Sequence, residues 1–116
     1  MHDYTMGDYA VTELKVTRIL PYLVPAIQHI FTTHGGALEV QNDHCLARFP
    51  PGTKKTEIWP RTRTARCWIT FPDGYLIYEV YLTTSGLSYL QFPAVDIPAD
   101  IREKYLALSV HCARQE

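Results

Sequence analysis

Cysteine is scarce in this chain and odd in number. Cys45, Cys67 and Cys112 cannot all pair with one another, and reduced thiols are the simplest expectation. No CxxC or HxxxH spacing occurs, although structural zinc sites are built from such local pairs. The neighbours His44-Cys45 and His111-Cys112 would send their side chains to opposite faces of a strand, so each pair offers one ligand at most. Neither a metal nor another cofactor is expected, and the three thiols read as small core hydrophobes. Long apolar runs are also missing, with nothing approaching the ~18 residues of a membrane span. The first residues, MHDYTMGDYAVTELK, carry Asp3, Asp8 and Glu13 where a signal peptide would need a basic and then an apolar region. A cytoplasmic protein without membrane contact is the expectation. A net charge of −1 gives no global attraction to nucleic acid or to an acidic membrane surface.

What is present is an ordinary globular composition over 116 residues, 47% hydrophobic and 20% charged. That length makes residues 1–116 a single domain, burying roughly 65% of the surface its unfolded chain would expose. Residues 1–10 read as a loose or edge segment. From Leu14 the apolar residues Val16, Ile19, Leu20, Leu23, Val24, Ile27, Ile30 and Phe31 settle into three- and four-residue steps, the mark of a buried helical stripe. Proline suits a first helical turn, so the helix over about 22–34 starts near Pro21. Residues 10–19 read as an earlier helix bent at Pro21, with a strand as the alternative. Gly35-Gly36 closes the helix.

The stretch ALEVQNDHCLARF predicts a hairpin turning at Asn42-Asp43, with Leu38, Val40, Cys45, Ala47 and Phe49 on one face and Glu39, Gln41, His44 and Arg48 on the other. PPGTKKTEIWP reads as a loop with at most a short edge strand at Thr56–Trp59. TRTARCWITF, YLIYEVYL and LSYLQF then form a meander. Pro98 opens a C-terminal helix at about 98–113, whose stripe is Ile101, Tyr105, Leu108 and Cys112. The fold class is α+β: an antiparallel sheet of five to six strands, largely a meander, flanked by an N-terminal and a C-terminal helix.

The meander has no polar face. With Asp73-Gly74 as a two-residue turn, Ala65, Cys67, Ile69 and Phe71 share a side with Leu76, Tyr78, Val80 and Leu82, while Trp68 joins Ile77 and Tyr81 on the other, followed by Leu90. A three-residue Pro72-Asp73-Gly74 turn shifts the pairing by one and mixes these sets. Extended apolar surface on a small protein marks an interface. The candidate interface or ligand face is therefore Trp68, Ile77, Tyr81 and Leu90, covered by a second copy of the chain in a homodimer, with the N-terminal segment or an enclosed ligand as the other possible covers.

No catalytic residue is assigned. Ser85, Ser88 and Ser109 lack a nucleophile-elbow setting. Cys67 has Arg66 beside it, but on a strand Arg66 faces away. Glu39 and Glu79 are single strand carboxylates without a second acid at a recognisable spacing. His34 is a candidate exposed base, or a helix-end histidine answering the dipole. The one charge feature is residues 54–66, where Lys54, Lys55, Arg61, Arg63 and Arg66 outnumber Glu57 by four against −5 elsewhere. With Trp59 able to stack on a ring, these residues form a candidate anion or nucleic-acid contact. Edge lysines and arginines that discourage aggregation are the plainer account. The sequence thus favours a non-catalytic binding module for a small apolar or aromatic molecule or a protein partner, ahead of nucleic-acid binding and of an enzyme with an unsigned active site.

Overall fold

The apolar stripe that begins at Leu14 divides between a strand and a helix in the computed structural model, which describes residues 4–60, 64–82, 87–102 and 108–112. Strands β1 (Tyr4–Ala10) and β2 (Glu13–Arg18) come first. Residues 10–19 are therefore not a helix. Leu14 and Val16 are buried while Glu13, Lys15 and Thr17 are exposed, a period of two that belongs to a strand. A 3-10 turn at Pro21–Leu23 leads into α1 (Val24–Thr33), which buries Ile27, Ile30 and Phe31. The helix ends where the glycines stand: Gly35 takes φ +91°, Gly35 N–H donates to Thr32 O and Gly36 N–H to Phe31 O. This is a Schellman closure. Gly36 has a second reason to be glycine, since a Cβ there would lie 2.4 Å from the Arg48 carbonyl oxygen.

The hairpin of β3 (Ala37–Val40) and β4 (Cys45–Arg48) has the expected register, with Leu38 opposite Ala47 and Val40 opposite Cys45. Then follow β5 (Lys54–Pro60), β6 (Thr64–Thr70), β7 (Leu76–Leu82), β8 (Leu87–Phe92) and β9 (Leu108–Cys112). All pairings are antiparallel, in the order β1-β5-β6-β7-β8-β9-β2-β4-β3.

That order forces the sheet to roll. β1 and β2 are six places apart in it, which in a flat sheet is roughly 29 Å at ~4.8 Å per strand. Only Val11 and Thr12 separate them in the chain, a link of at most ~11 Å. The two strands are one bent strand that seals a ring with β5, β6, β7, β8 and β9, as in a small barrel. Val11 N–H donates to Thr53 O and Phe49 N–H to Thr12 O, so residues 4–18 and 45–60 run as one antiparallel ribbon across the bend. The proline-rich stretch 49–53 is the surplus on the longer side, where missing donors cost nothing to a ladder.

Three expectations change here. The segment 54–60 is not a loop or an edge: β5 lies between β1 and β6, because the N-terminal edge segment pairs along it. Among the described residues, the C-terminal helix expected at about 98–113 does not form. A single turn, Ala99–Arg102, precedes β9, which pairs with both β8 and β2. Two strand edges awaiting a partner outweigh the helical spacing of Ile101, Leu108 and Cys112; Tyr105 lies outside the described residues. The fold is therefore α+β with one full helix among the described residues, not two flanking ones. Lastly, the β6–β7 turn has three residues. Phe71 N–H donates to Tyr75 O, Gly74 N–H donates to Phe71 O, and Gly74 sits at φ +93°, a three-residue loop with its glycine in the left-handed region.

That register sets the two faces. Cys67 pairs with Glu79 and Ile69 with Ile77 inside, while Trp68 pairs with Tyr78 outside. The inner face is filled around α1: Phe31 packs against the rings of Phe49, Phe71 and Phe92 at centroid distances of 5.5, 5.9 and 6.1 Å, within one cluster that includes Leu14, Val16, Leu38, Ile69, Ile77 and Leu90.

Candidate functional site

Along β5 the side chains alternate, with Lys54 out, Lys55 in, Thr56 half-buried and Glu57 in. Ladder register then sets Glu57, Cys67 and Glu79 in one row across β5, β6 and β7. The outcome is a polar group inside the ring. Lys55 Nζ lies 2.5 Å from Glu79 Oε1 and 3.8 Å from Glu57 Oε2. Ser88 donates to Glu79 Oε2 at 2.6 Å, and Tyr9 Oη donates to Glu57 Oε2 at 3.0 Å. Lys55 is 5% exposed and Glu79 1%. Taking such ions out of water costs several kcal/mol each, and the contacts within the row offset part of that cost. Its chemistry is that of a fixed carboxylate–ammonium pair. Glu57, Cys67 and Glu79 also have ligand atoms within 4.8 Å of one another. Among the described residues this is the one group of three whose ligand atoms lie close enough together to hold a metal ion, and the Lys55 ammonium already supplies a cation to Glu79.

A second place is concave. The end of β2, the 3-10 turn before α1 and the β3–β4 turn enclose a cleft of about 780 Å³. Ile19, Leu20, Pro21, Val24 and Val40 supply its apolar wall; Thr17, Arg18, Gln41, Asn42, Asp43 and His44 supply polar groups, with Cys45 beneath. Val40 is 61% exposed although it lies on the hairpin face expected to be buried. Asp43 Oδ1 and His44 Nδ1 are 2.7 Å apart, and this hydrogen bond holds the Asp43 carboxyl below its ordinary value. Burial pushes the Cys45 thiol up, which makes it a poor nucleophile.

At the opposite end of α1, His34 Nδ1 lies 2.6 Å from Asp73 Oδ2, and its ring stacks on Tyr75 at 3.8 Å. Tyr75 Oη donates to Asp96 Oδ2 at 2.9 Å. Burial first, and Asp96 second, push the Tyr75 phenol well above its ordinary value. Asp73 is held below the usual carboxylate range, chiefly by the hydrogen bond with His34. A carboxyl depressed in the folded state adds stability above its unfolded value of 3.8, and that stability is lost as the pH falls through the folded value. Asp73→Asn should therefore lower the melting temperature at pH 5–7 and match the wild type near pH 2. Parallel curves at both pH values would refute the pairing.

The expected sites fare unequally. Of the basic set, Lys54 and Arg66 are exposed on the outer face, but Lys55 is buried in the ion pair and leaves the surface set. The Trp59 side chain, Arg61 and Arg63 lie outside the described residues. The set Trp68, Ile77, Tyr81 and Leu90 does not share a face: Ile77 and Leu90 are fully buried inside, Tyr81 pairs with Ala65 on the inner face, and Trp68 is half-buried outside. The one-residue register change divides them. The ion pair escaped sequence reading. Its signal was Lys55 and Glu57 two apart on one strand and Glu79, between Ile77 and Tyr81, on another two places along the sheet. Comparison with known proteins adds no assignment: no family model, curated protein or solved structure matches the chain.

Proposed function

We propose that the protein is a non-catalytic binding module whose site is the cleft between the end of β2, the turn before α1 and the β3–β4 turn, and that its ligand is a small, largely apolar molecule. The observation that carries this reading is the cleft itself. Its volume of about 780 Å³ falls in the range of small-molecule sites, and an apolar wall with a few polar groups at one side is their usual composition. The test is titration with Nile red, a neutral apolar dye. Saturable fluorescence enhancement at one dye per chain is expected, and Val24→Trp, which fills the cleft, should abolish it while the far-ultraviolet circular dichroism stays intact. Enhancement that never saturates, or that survives Val24→Trp, would overturn the assignment.

The homodimer belongs to the same proposal, with its contact moved to the outer strip where Trp68 faces Tyr78, which is 53% exposed; light scattering on the titrated samples reads it directly. One observation favours an enzyme as second reading: Asp73 orients His34 as a carboxylate orients a general base. Neither residue lines the cleft, and the Asp43–His44 pair that does line it sits on a turn with Asp43 largely in water, so the binding reading ranks first. Contact with nucleic acid through residues 54–66 is weakened by the burial of Lys55.

A further inference from the structure

The polar side of the cleft is not electrically neutral in its effect on a ligand. Apart from the buried Cys45 thiol, three charged or titratable side chains line it: Arg18, Asp43 and His44. Two of them answer each other, since Asp43 Oδ1 and His44 Nδ1 are 2.7 Å apart. Arg18 is exposed at the end of β2 and, among the described residues, makes neither an ion pair nor a side-chain hydrogen bond. An unspent guanidinium beside an apolar wall of Leu20, Val24 and Val40 suits one kind of molecule. Its five fixed donors match a carboxylate in a two-pronged geometry, while the wall takes a hydrocarbon body. A neutral apolar ligand would leave the guanidinium with water alone, and a cationic one would be repelled.

Resting on the cleft reading above, we infer that the ligand class is anionic amphiphiles, carboxylates with an aliphatic body, with the head on Arg18 and the chain along Leu20, Val24 and Val40. Asp43 does not oppose this arrangement strongly, because its charge is engaged by His44 and lies near Lys15.

Three probes with the same ten-carbon chain separate the head from the body: decanoate, decanol and decyltrimethylammonium, each displacing bound Nile red. Decanoate should bind ~10-fold more tightly than decanol, the scale of one hydrogen-bonded charge contact, with the ammonium probe weakest. The advantage should shrink as salt rises, because Arg18 is exposed. Arg18→Gln should bring decanoate to within about 2-fold of decanol, and Arg18→Lys should restore part of the gap by keeping the charge without the fork. Decanol binding, in which Arg18 takes no part, reports that each variant is folded. Equal binding of decanoate and decanol to the wild type, or an unchanged ratio in Arg18→Gln, would overturn the anionic head while leaving the apolar cleft standing. Failure of all three probes to displace the dye would overturn both.

Discussion

Lys55→Met should cost about 3–5 kcal/mol of folding stability, as removal of one partner from a buried ion pair generally does. The variant keeps the length and much of the shape of the side chain but leaves Glu79, 1% exposed, without the ammonium 2.5 Å away. Glu57 loses its longer contact as well. For a domain whose total stability is of the order of 5–15 kcal/mol, that is a large share, and urea titration should show the midpoint falling with little change in slope. The double variant Lys55→Met with Glu79→Leu should recover a substantial part of the loss. Replacing a whole buried pair by apolar groups of similar volume is commonly near neutral, although here Ser88 would lose the acceptor it donates to at 2.6 Å. The non-additivity of that cycle measures the coupling. A cost below about 1 kcal/mol for the single change would mean that the ammonium is effectively solvated, and the row would then be a surface feature.

The same row shows where sequence reading loses its grip. Lys55 and Glu57 were legible as charges, and a run of charge ordinarily reads as solvated. Their inward orientation depends on β1 pairing along β5, a contact between segments about fifty residues apart that no local pattern encodes. The hairpin over β3 and β4 was legible because its alternation and its turn agree within a dozen residues, and α1 because its stripe and its glycine closure agree likewise. The C-terminal strand was not, since Ile101, Tyr105, Leu108 and Cys112 fall on helical spacing while the decisive influence is the open edges of β2 and β8. The turn at Pro72-Asp73-Gly74 allowed two registers, and the choice between them decided which side Ile77 and Glu79 took. The cleft was illegible for a related reason: its wall joins the end of β2 to a hairpin turn some twenty residues on, and neither segment carries a binding motif.

The question raised by the two apolar faces of the meander is also answered by rolling. A flat sheet over α1 would leave Ile77 and Leu90 on one side and Trp68 and Tyr78 on the other, both needing cover. Closing the ring places the first pair among core residues and leaves a narrower outer strip, in which Arg66 and Tyr78 are exposed. The inner space is then shared between two kinds of contact: hydrocarbon around α1 and an ionic row along β5, β6 and β7. Only the first can be strengthened by packing alone, so the two halves should respond differently to substitution.

In the hydrocarbon half, Phe31→Ala should be the most damaging single truncation, at about 3–5 kcal/mol. Phe31 is completely buried, and its ring meets Phe49, Phe71 and Phe92, which come from the end of β4, the β6–β7 turn and the end of β8. It therefore joins α1 to three separated parts of the ring, and no single neighbour can move in to fill the void without leaving the others. Its carbonyl also accepts the Gly36 N–H that closes the helix, but alanine keeps that bond. Alanine is also a better helix former than phenylalanine by roughly 0.5 kcal/mol. Backbone effects thus work against the loss, and any large destabilisation must come from packing. Phe31→Leu should cost distinctly less, because it retains most of the volume while giving up the ring contacts. Chemical denaturation of both variants separates the two contributions. If Phe31→Ala cost less than about 1.5 kcal/mol, the neighbouring rings would have to be able to collapse onto one another, and α1 would not be the plug of this barrel.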